Sequence, residues 1–386
     1  MKVLIISTDR ALLGERVSTG DALKRHKDYG SLIDKIDIVV FSKQGYETKK
    51  IGSNVTCYAT NSKSRLFYVR DAFGAAEKLL EDNEYDLAVC QDPFLTGLVG
   101  LKVKKKYGTK LLVHFHGDFW KNKYWLGENY LRLGLLFISK RVVPQADGIR
   151  VVSGGIKDKL IKAGVDEDKV RVISTPVDLE NFKQADNQMI DSICSEFRGK
   201  KLVVWVGKMR KEKNLEFLLK SFKKISKVCG EAVLIMVGQG KDFSALNKLR
   251  VELGLKDKVK MIGHVEYSRL PGYFHASSLV VLPSRHESLG KVLLEAAAAG
   301  KPVVATKTTG AADIVVEGKT GYLVEIDDQD KFVKQVLKIL ENNELALKMG
   351  RQAYEKISKR FDYMQSINQV VGLWNEIESG FKGNDI

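Results

Sequence analysis

Two carboxylates and a glycine stand close together in Leu282-Pro283-Ser284-Arg285-His286-Glu287-Ser288-Leu289-Gly290-Lys291-Val292-Leu293-Leu294-Glu295. An apolar run ends at Pro283, a loop carries Glu287, and Ser288-Leu289-Gly290 is expected to open a helix that Gly300 and Pro302 end. Free amides at a helix start, backed by the positive end of its dipole, suit a diphosphate. Gly290 lets phosphate oxygens approach without a Cβ in the way. Glu295, more than one turn into the helix, can reach past the phosphates to ribose hydroxyls, while Glu287 can face a sugar carried on them. Taken alone, the spacing of the two glutamates also fits a surface loop and an Ala-rich helix with a solvated Glu295. The context of strand, loop, glycine, helix and a further strand at Pro302 to Ala305 favours the chemistry.

A second cluster is Val203-Val204-Trp205-Val206-Gly207-Lys208-Met209-Arg210-Lys211-Glu212-Lys213-Asn214-Leu215, which reads as a strand, a glycine turn with four cations and an amphipathic helix. Lys/Arg runs usually decorate solvated loops, but the position between a strand and a helix points to phosphate. One cation about 4 Å from a phosphate charge contributes roughly 4 kcal/mol at an effective dielectric near 20. Two cations and a helix start can therefore stabilise a leaving diphosphate without Mg2+. Gly238-Gln239-Gly240 lacks the third glycine of a dinucleotide fingerprint and reads as a tight turn, and Gly318-Lys319-Thr320-Gly321 lacks the upstream glycine of a Walker A loop. In the first half, Leu111-Leu112-Val113-His114-Phe115-His116-Gly117 puts His116 just past a strand, at a glycine turn, with His114 read as a packed residue.

These segments together closely resemble glycosyltransferase family 4, retaining enzymes with the GT-B fold. The stretch from Glu287 to Glu295 resembles the donor-site signature of that family, and the resemblance covers nearly the whole chain, most strongly Lys201 to Val324. It implies that Lys213 lies on the donor phosphates, with Lys208 where the family usually has Arg and Arg210 two positions later. Gly207, Ser288, Leu289 and Gly290 then complete the diphosphate site, Glu295 binds the ribose, and Glu287 and His116 are the catalytic pair beside the transferred sugar. Gly14 falls where the family usually has two glycines near the diphosphate, in Ala11-Leu12-Leu13-Gly14-Glu15-Arg16. Thr308-Thr309-Gly310 resembles the family's paired glycines, and Thr175-Pro176 replaces its Asn-Gly before Val177-Asp178. The implied activity is transfer of a hexose-type sugar from a UDP- or GDP-sugar to a glycan or lipid-linked saccharide, with retention and without a metal. The competing fold of such enzymes uses D-x-D to hold a divalent ion. Asp166-Glu167-Asp168 reads instead as a polar turn, and Asp328-Gln329-Asp330 as a helix start capped by Asp327 or Asp328.

The elements that must position these residues are short apolar runs alternating with amphipathic segments, the pattern of βα units on parallel sheets. Seven strands are expected before residue 175 and six between Leu202 and Val324, many of them continuously apolar, as in sheets covered on both faces. The expected architecture is α/β: two Rossmann-like, doubly wound parallel-sheet domains facing a cleft, at residues 1–180 and 190–360. The polar stretch between Val177 and Lys201 is read as the boundary, and a helix within 361–386 as packing back on the first domain.

The chain has 386 residues, 44% hydrophobic and 29% charged, which suits two globular domains. Cys57, Cys90, Cys194 and Cys229 lie far apart with no C-x-x-C pair, so they read as reduced thiols and not as a disulfide or zinc framework. The formal charge of +15 favours an anionic partner. No RNP motif, zinc finger or helix-turn-helix accompanies it, so nucleic acid is the weaker reading. No apolar run reaches membrane-spanning length and the first residues turn polar at Ser7-Thr8-Asp9, so a cytoplasmic location is expected, with attachment to the inner face of the cell membrane as an open alternative. Lys102, Lys104, Lys105, Lys106 and Lys110, beside the aromatic and apolar stretch from Trp120 to Ile138, are consistent with docking on anionic lipid and equally with a core helix edged by solvated lysines. A catalytically silent nucleotide-sugar-binding subunit of a transferase complex is the rival to an enzyme.

Overall fold

The computed structural model describes residues 1–14, 22–127 and 129–380. Glu15 and Arg16 of the Gly14 loop, and residues 381–386 of the expected C-terminal segment, lie outside the described residues. The first elements are β1 (Lys2–Ser7), α1 (Ala22–Gly30), β2 (Lys35–Val40), β3 (Lys49–Lys50), β4 (Val55–Ala59), α2 (Tyr68–Asp82), β5 (Leu87–Cys90) and α3 (Leu95–Tyr107). There follow β6 (Lys110–Phe115), α4 (Lys123–Gly127), α5 (Leu131–Val142), β7 (Gly148–Val151), α6 (Gly154–Ile161) and β8 (Val170–Val172). The chain continues through α7 (Glu180–Lys183), α8 (Asn187–Glu196), β9 (Lys201–Val206), α9 (Leu215–Val228), β10 (Ala232–Val237), α10 (Phe243–Glu252), β11 (Val259–Gly263) and α11 (Leu270–Ala276). It closes with β12 (Leu279–Leu282), α12 (Lys291–Ala298), β13 (Val303–Thr306), α13 (Thr309–Ile314), β14 (Gly321–Val324), α14 (Gln329–Glu341), α15 (Asn343–Arg360) and α16 (Tyr363–Glu378).

Two units emerge: Met1–Pro176 with Tyr363–Ile386, and Val177–Asp362. The first holds an eight-stranded sheet in the order β3-β4-β2-β1-β5-β6-β7-β8, parallel except where β3 runs against β4. The short β3, a pair of exposed lysines, has no apolar signature and is absent from the sequence expectation. The second unit holds a six-stranded parallel sheet, β11-β10-β9-β12-β13-β14. Strands such as β10, Ala232-Val-Leu-Ile-Met-Val237, are buried at every residue because helices cover both faces.

The units divide between Pro176 and Val177, at the start of the stretch read as the boundary, and that stretch is structured. Val177, Leu179, Phe182, Ile193 and Phe197 are buried in the core of the second unit, so their apolar side chains outweigh the polar composition around them and α7 and α8 form. In the first unit α16 presents Ile367, Val370, Val371, Trp374 and Ile377 to the core at helical spacing, and Trp374 packs on Tyr29 of α1 with ring centroids 5.2 Å apart. The final helix is therefore an integral part of the N-terminal unit. No helix among the described residues is long and apolar enough to cross a membrane.

Candidate active site

In the second unit the strand order reverses between β9 and β12: β10 and β11 extend the sheet one way, β13 and β14 the other. Neighbouring strands whose connections leave in opposite directions open a crevice at their carboxyl ends, the usual place for a ligand in such sheets. The loops at that point are residues 207–214 after β9 and 283–290 after β12, the two clusters singled out from the sequence. They are tied together. The Arg285 amide donates to the Glu212 carbonyl at 2.8 Å, and the Lys213 ammonium forms an ion pair with Glu287 Oε1, which also accepts from Ser284 Oγ at 2.9 Å.

Both loops rest on glycines and threonines of the next strands. A Cβ on Gly238 would lie 1.9 Å from the Gly207 carbonyl oxygen, and one on Gly240 would lie 2.1 Å from that of Met209, so Gly238-Gln239-Gly240 is a close-packed support for the cationic loop. Met209 N donates to the Gln239 carbonyl at 2.9 Å, which locks the two segments in register. On the other side, Thr306, the last residue of β13, donates through Oγ1 to the Ser284 carbonyl. Thr309 Oγ1 and the Gly310 amide both donate to the Glu287 carbonyl at 2.9 Å. A Cβ on Gly310 would come within 2.6 Å of the Leu289 nitrogen. None of Ser284, Thr306 or Tyr267 (below) was singled out from sequence. The available signal was small or hydroxylic residues directly after, or ending, several strands.

The helix starts later than the sequence suggests. Gly290 has φ +76°, a left-handed conformation, so it caps α12 and cannot belong to it, and the helix begins at Lys291. Ser288 and Leu289 lie in the preceding loop. Glu295 is buried, at 4% exposure, which rules out a solvated helix face. The Tyr267 hydroxyl donates to its Oε1 at 3.1 Å, and Lys291, one turn before, sits 3.7 Å from the same oxygen with its ammonium over the Tyr267 ring.

Gly207, Lys213, Glu287, Ser288, Leu289, Gly290 and Glu295 are thus on the adjoining loops and helix of one crevice. The side chain of Lys208 is exposed in the same loop. Arg210, in the same loop, lines a cavity of about 600 Å³ between α9 and α10, with Lys211, Lys220, Arg285 and Asp327. There Asp327 accepts from Asn214 Nδ2 at 3.0 Å and Arg285 at 3.3 Å, and Asp328 is the residue that caps α14. Asp166 likewise accepts from the Asp168 amide in a short turn. Among the described residues no group of three His, Cys, Asp or Glu side chains is placed to hold a metal ion.

The remaining candidates belong to the N-terminal unit. Gly14 ends a short 3₁₀ turn, Arg10–Leu13, with φ +96°. His116 follows β6, its Nδ1 3.4 Å from Thr175 Oγ1 and its Nε2 buried without a partner among the described residues. Buried His114 packs edge-on against it, ring centroids 5.3 Å apart. Burial first, then the charges of Arg150, Arg25 and His26, hold the His116 ring well below the usual imidazole range, so it is neutral near pH 7. His26 is pushed down to about 4 by burial and the Arg25 charge.

Two family models match the chain, "Glycosyl transferases group 1" over residues 190–356 and "Glycosyltransferase Family 4" over residues 34–181. The chain belongs to the family 4 glycosyltransferases of group 1. It is similar to N-acetyl-alpha-D-glucosaminyl L-malate synthase of Bacillus anthracis, 26% identical over 61% of this chain and 61% of that relative. Over the relatives matched first, the chain spans 51–61% of their length. Among solved structures it is similar to sucrose-phosphate synthase from Thermosynechococcus elongatus, with a TM-score of 0.85, 18% identity, and coverage of 98% of this chain and 100% of that one. The Anabaena protein HepE, solved with UDP-glucose, gives 0.79 at 18% identity over 97% and 100%. These likenesses show the fold, and the two parallel-sheet units are those of the GT-B fold.

Gly310→Ala is expected to push the Ser288-Leu289 backbone out of place and weaken binding of a nucleoside diphosphate about tenfold or more by calorimetry, with little change in the thermal midpoint; unchanged affinity would remove Gly310 from the site. The histidines give a pH expectation. Their folded pKa values lie below the unfolded one, so the unfolded chain binds more protons and stability falls as pH drops through 6.5. For His26, at about 4, this amounts to about 2 kcal/mol between pH 8 and pH 5. Urea denaturation at the two pH values should show at least that loss, reduced in His26→Gln.

Proposed function

We propose that this protein transfers a hexose-type sugar from a UDP- or GDP-sugar to a glycan or lipid-linked saccharide, with retention of configuration and without a metal ion. The reading is carried by the Lys213–Glu287 pair at the reversal point of the second sheet, with Glu295 buried behind it. On donor binding, the Lys213 ammonium and the amides around Leu289 and Gly290 would meet the diphosphate, supplying fixed positive charge where negative charge develops as the bond to the sugar breaks. Glu295 would accept from the ribose hydroxyls and Glu287 would face the sugar. His116, neutral, would hydrogen-bond a sugar hydroxyl. The acceptor hydroxyl would attack from the face the nucleotide leaves, and the departing phosphate would take its proton. HepE, solved with UDP-glucose, supports testing UDP and its sugars first. A thermal-shift panel of UDP, GDP, ADP and their sugars decides the donor, since a ligand at 100 times its dissociation constant adds about 2.7 kcal/mol. Lys213→Ala or Glu295→Ala should lower turnover on the order of 10²-fold; wild-type rates in both would overturn these roles, and donor binding without turnover in the wild type would favour the silent binding subunit.

A lipid-linked acceptor draws support from α5. Tyr130, Leu131, Leu133 and Phe137 are 82%, 60%, 62% and 63% exposed at its start, while Lys121, Lys123, Lys140 and Arg141 stand exposed around them. Apolar side chains to enter a headgroup layer and cations to meet anionic lipid form a peripheral docking face. At low salt the protein should sediment with vesicles containing anionic lipid, and Leu133→Asp with Phe137→Asp should leave it in the supernatant. Wild-type protein that stays in the supernatant would end this reading.

A further inference from the structure

Strand β7 is buried at all four of its residues, Gly148-Ile149-Arg150-Val151, yet its third is an arginine. A guanidinium at 2% exposure must have its donors met. Arg150 makes two charge-assisted bonds to carbonyls: Nε donates to Ile173 O at 3.0 Å and Nη2 to Ser174 O at 2.8 Å, with the Tyr29 hydroxyl also in reach. Those carbonyls lie just beyond β8, where the sheet ladder has run out after the Ile173 amide bonds Val151 O. The next residue is Thr175, whose hydroxyl lies 3.4 Å from His116 Nδ1. A hydroxyl on one ring nitrogen decides which proton state and orientation the other presents. Here the other is Nε2, buried and without a partner among the described residues.

We propose that Arg150 and Thr175 are positioning residues for His116: the guanidinium fork clamps the turn after β8, and the turn holds the Thr175 hydroxyl against the imidazole so that Nε2 is presented in one orientation. The inference rests on the reading above, in which His116 meets the donor sugar. Around the ring stand Arg150 on β7, Arg25 and His26 on α1, and His114 on β6, and the two arginines and His26 each oppose its protonation. Asp118, two residues on in the same loop, is tied to Lys159 at 2.6 Å and to Asn122. The ring is thereby kept neutral by its surroundings while the clamp settles its orientation.

Long-range proton–nitrogen spectra of the imidazoles, in full-length protein, read the clamp directly, and steady-state kinetics read its use. In the wild type His116 should show a single neutral tautomer from pH 5.5 to 8. In Thr175→Ala the ring should become a mixture, kcat should fall about tenfold with the donor KM within about twofold, and the thermal midpoint should hold. Thr175→Ser, which keeps the hydroxyl, should restore both. Arg150→Lys keeps the charge and loses the fork, and should give the same mixture. A Thr175→Ala ring and kcat like the wild type, or a Thr175→Ser loss as large as that of alanine, would overturn the proposal. His116→Ala with full turnover would overturn the role given to His116 instead, and the ring spectra would still decide whether the clamp exists.

Discussion

The ion pair between Lys213 and Glu287 depends on a feature of the sheet before it depends on either residue. β9 and β12 are 78 residues apart at their starts but adjacent in the sheet, and the chain leaves them in opposite directions, so the loops at their carboxyl ends converge. Each loop alone is unremarkable chemistry: cations after one strand, an acid after the other. Brought together and partly shielded from water, the charges interact several times more strongly than in bulk solvent. Glu287 also takes a bond from Ser284, and its carbonyl is held from the β13 side by Thr309 and Gly310. Glu287 is thus held both at its backbone carbonyl and at its side chain, apart from the bond to Lys213.

The supports of this crevice are small residues. Gly238, Gly240 and Gly310 each place hydrogen where any side chain would meet backbone, and Thr306 fills the end of β13 with a hydroxyl aimed back at the loop. Close backbone packing leaves little room for adjustment, so the amides near Leu289 and Gly290 are held in place before any ligand arrives. In the proposed reaction, that preorganisation would let fixed dipoles stabilise developing charge without reorganising as the bond breaks.

The N-terminal unit solves a different problem with the opposite electrostatics. Its histidines are buried, and the charges of nearby arginines add to the effect of burial, so the imidazoles stay neutral. A neutral ring can both donate and accept, which suits hydrogen bonding to hydroxyls better than holding an anion. Arg150, the largest of the contributing charges, is itself bonded to carbonyls, so its charge persists inside the unit, with its pKa lowered only to about 10.

Much of this was legible in the chain itself. Continuous apolar runs located thirteen of the strands, since a buried parallel strand has a composition few other elements share, and the order of strand, glycine, cation and helix located both halves of the crevice. A linear pattern reports what each segment prefers. It does not report which segments become neighbours, and so it was silent on Ser284, Tyr267, Thr306 and Arg150, whose roles come from contacts across 3 to 28 residues. It also placed the start of α12 too early, because a helical pattern cannot show that Gly290 has turned left-handed. The residues after Val177 read as the domain boundary by their polarity, and burial of Phe182 and Phe197 assigns them to the second unit's core. Local preference fixes the elements and their ends to within a turn, while burial and backbone contact, which are paid only in three dimensions, decide what each end touches.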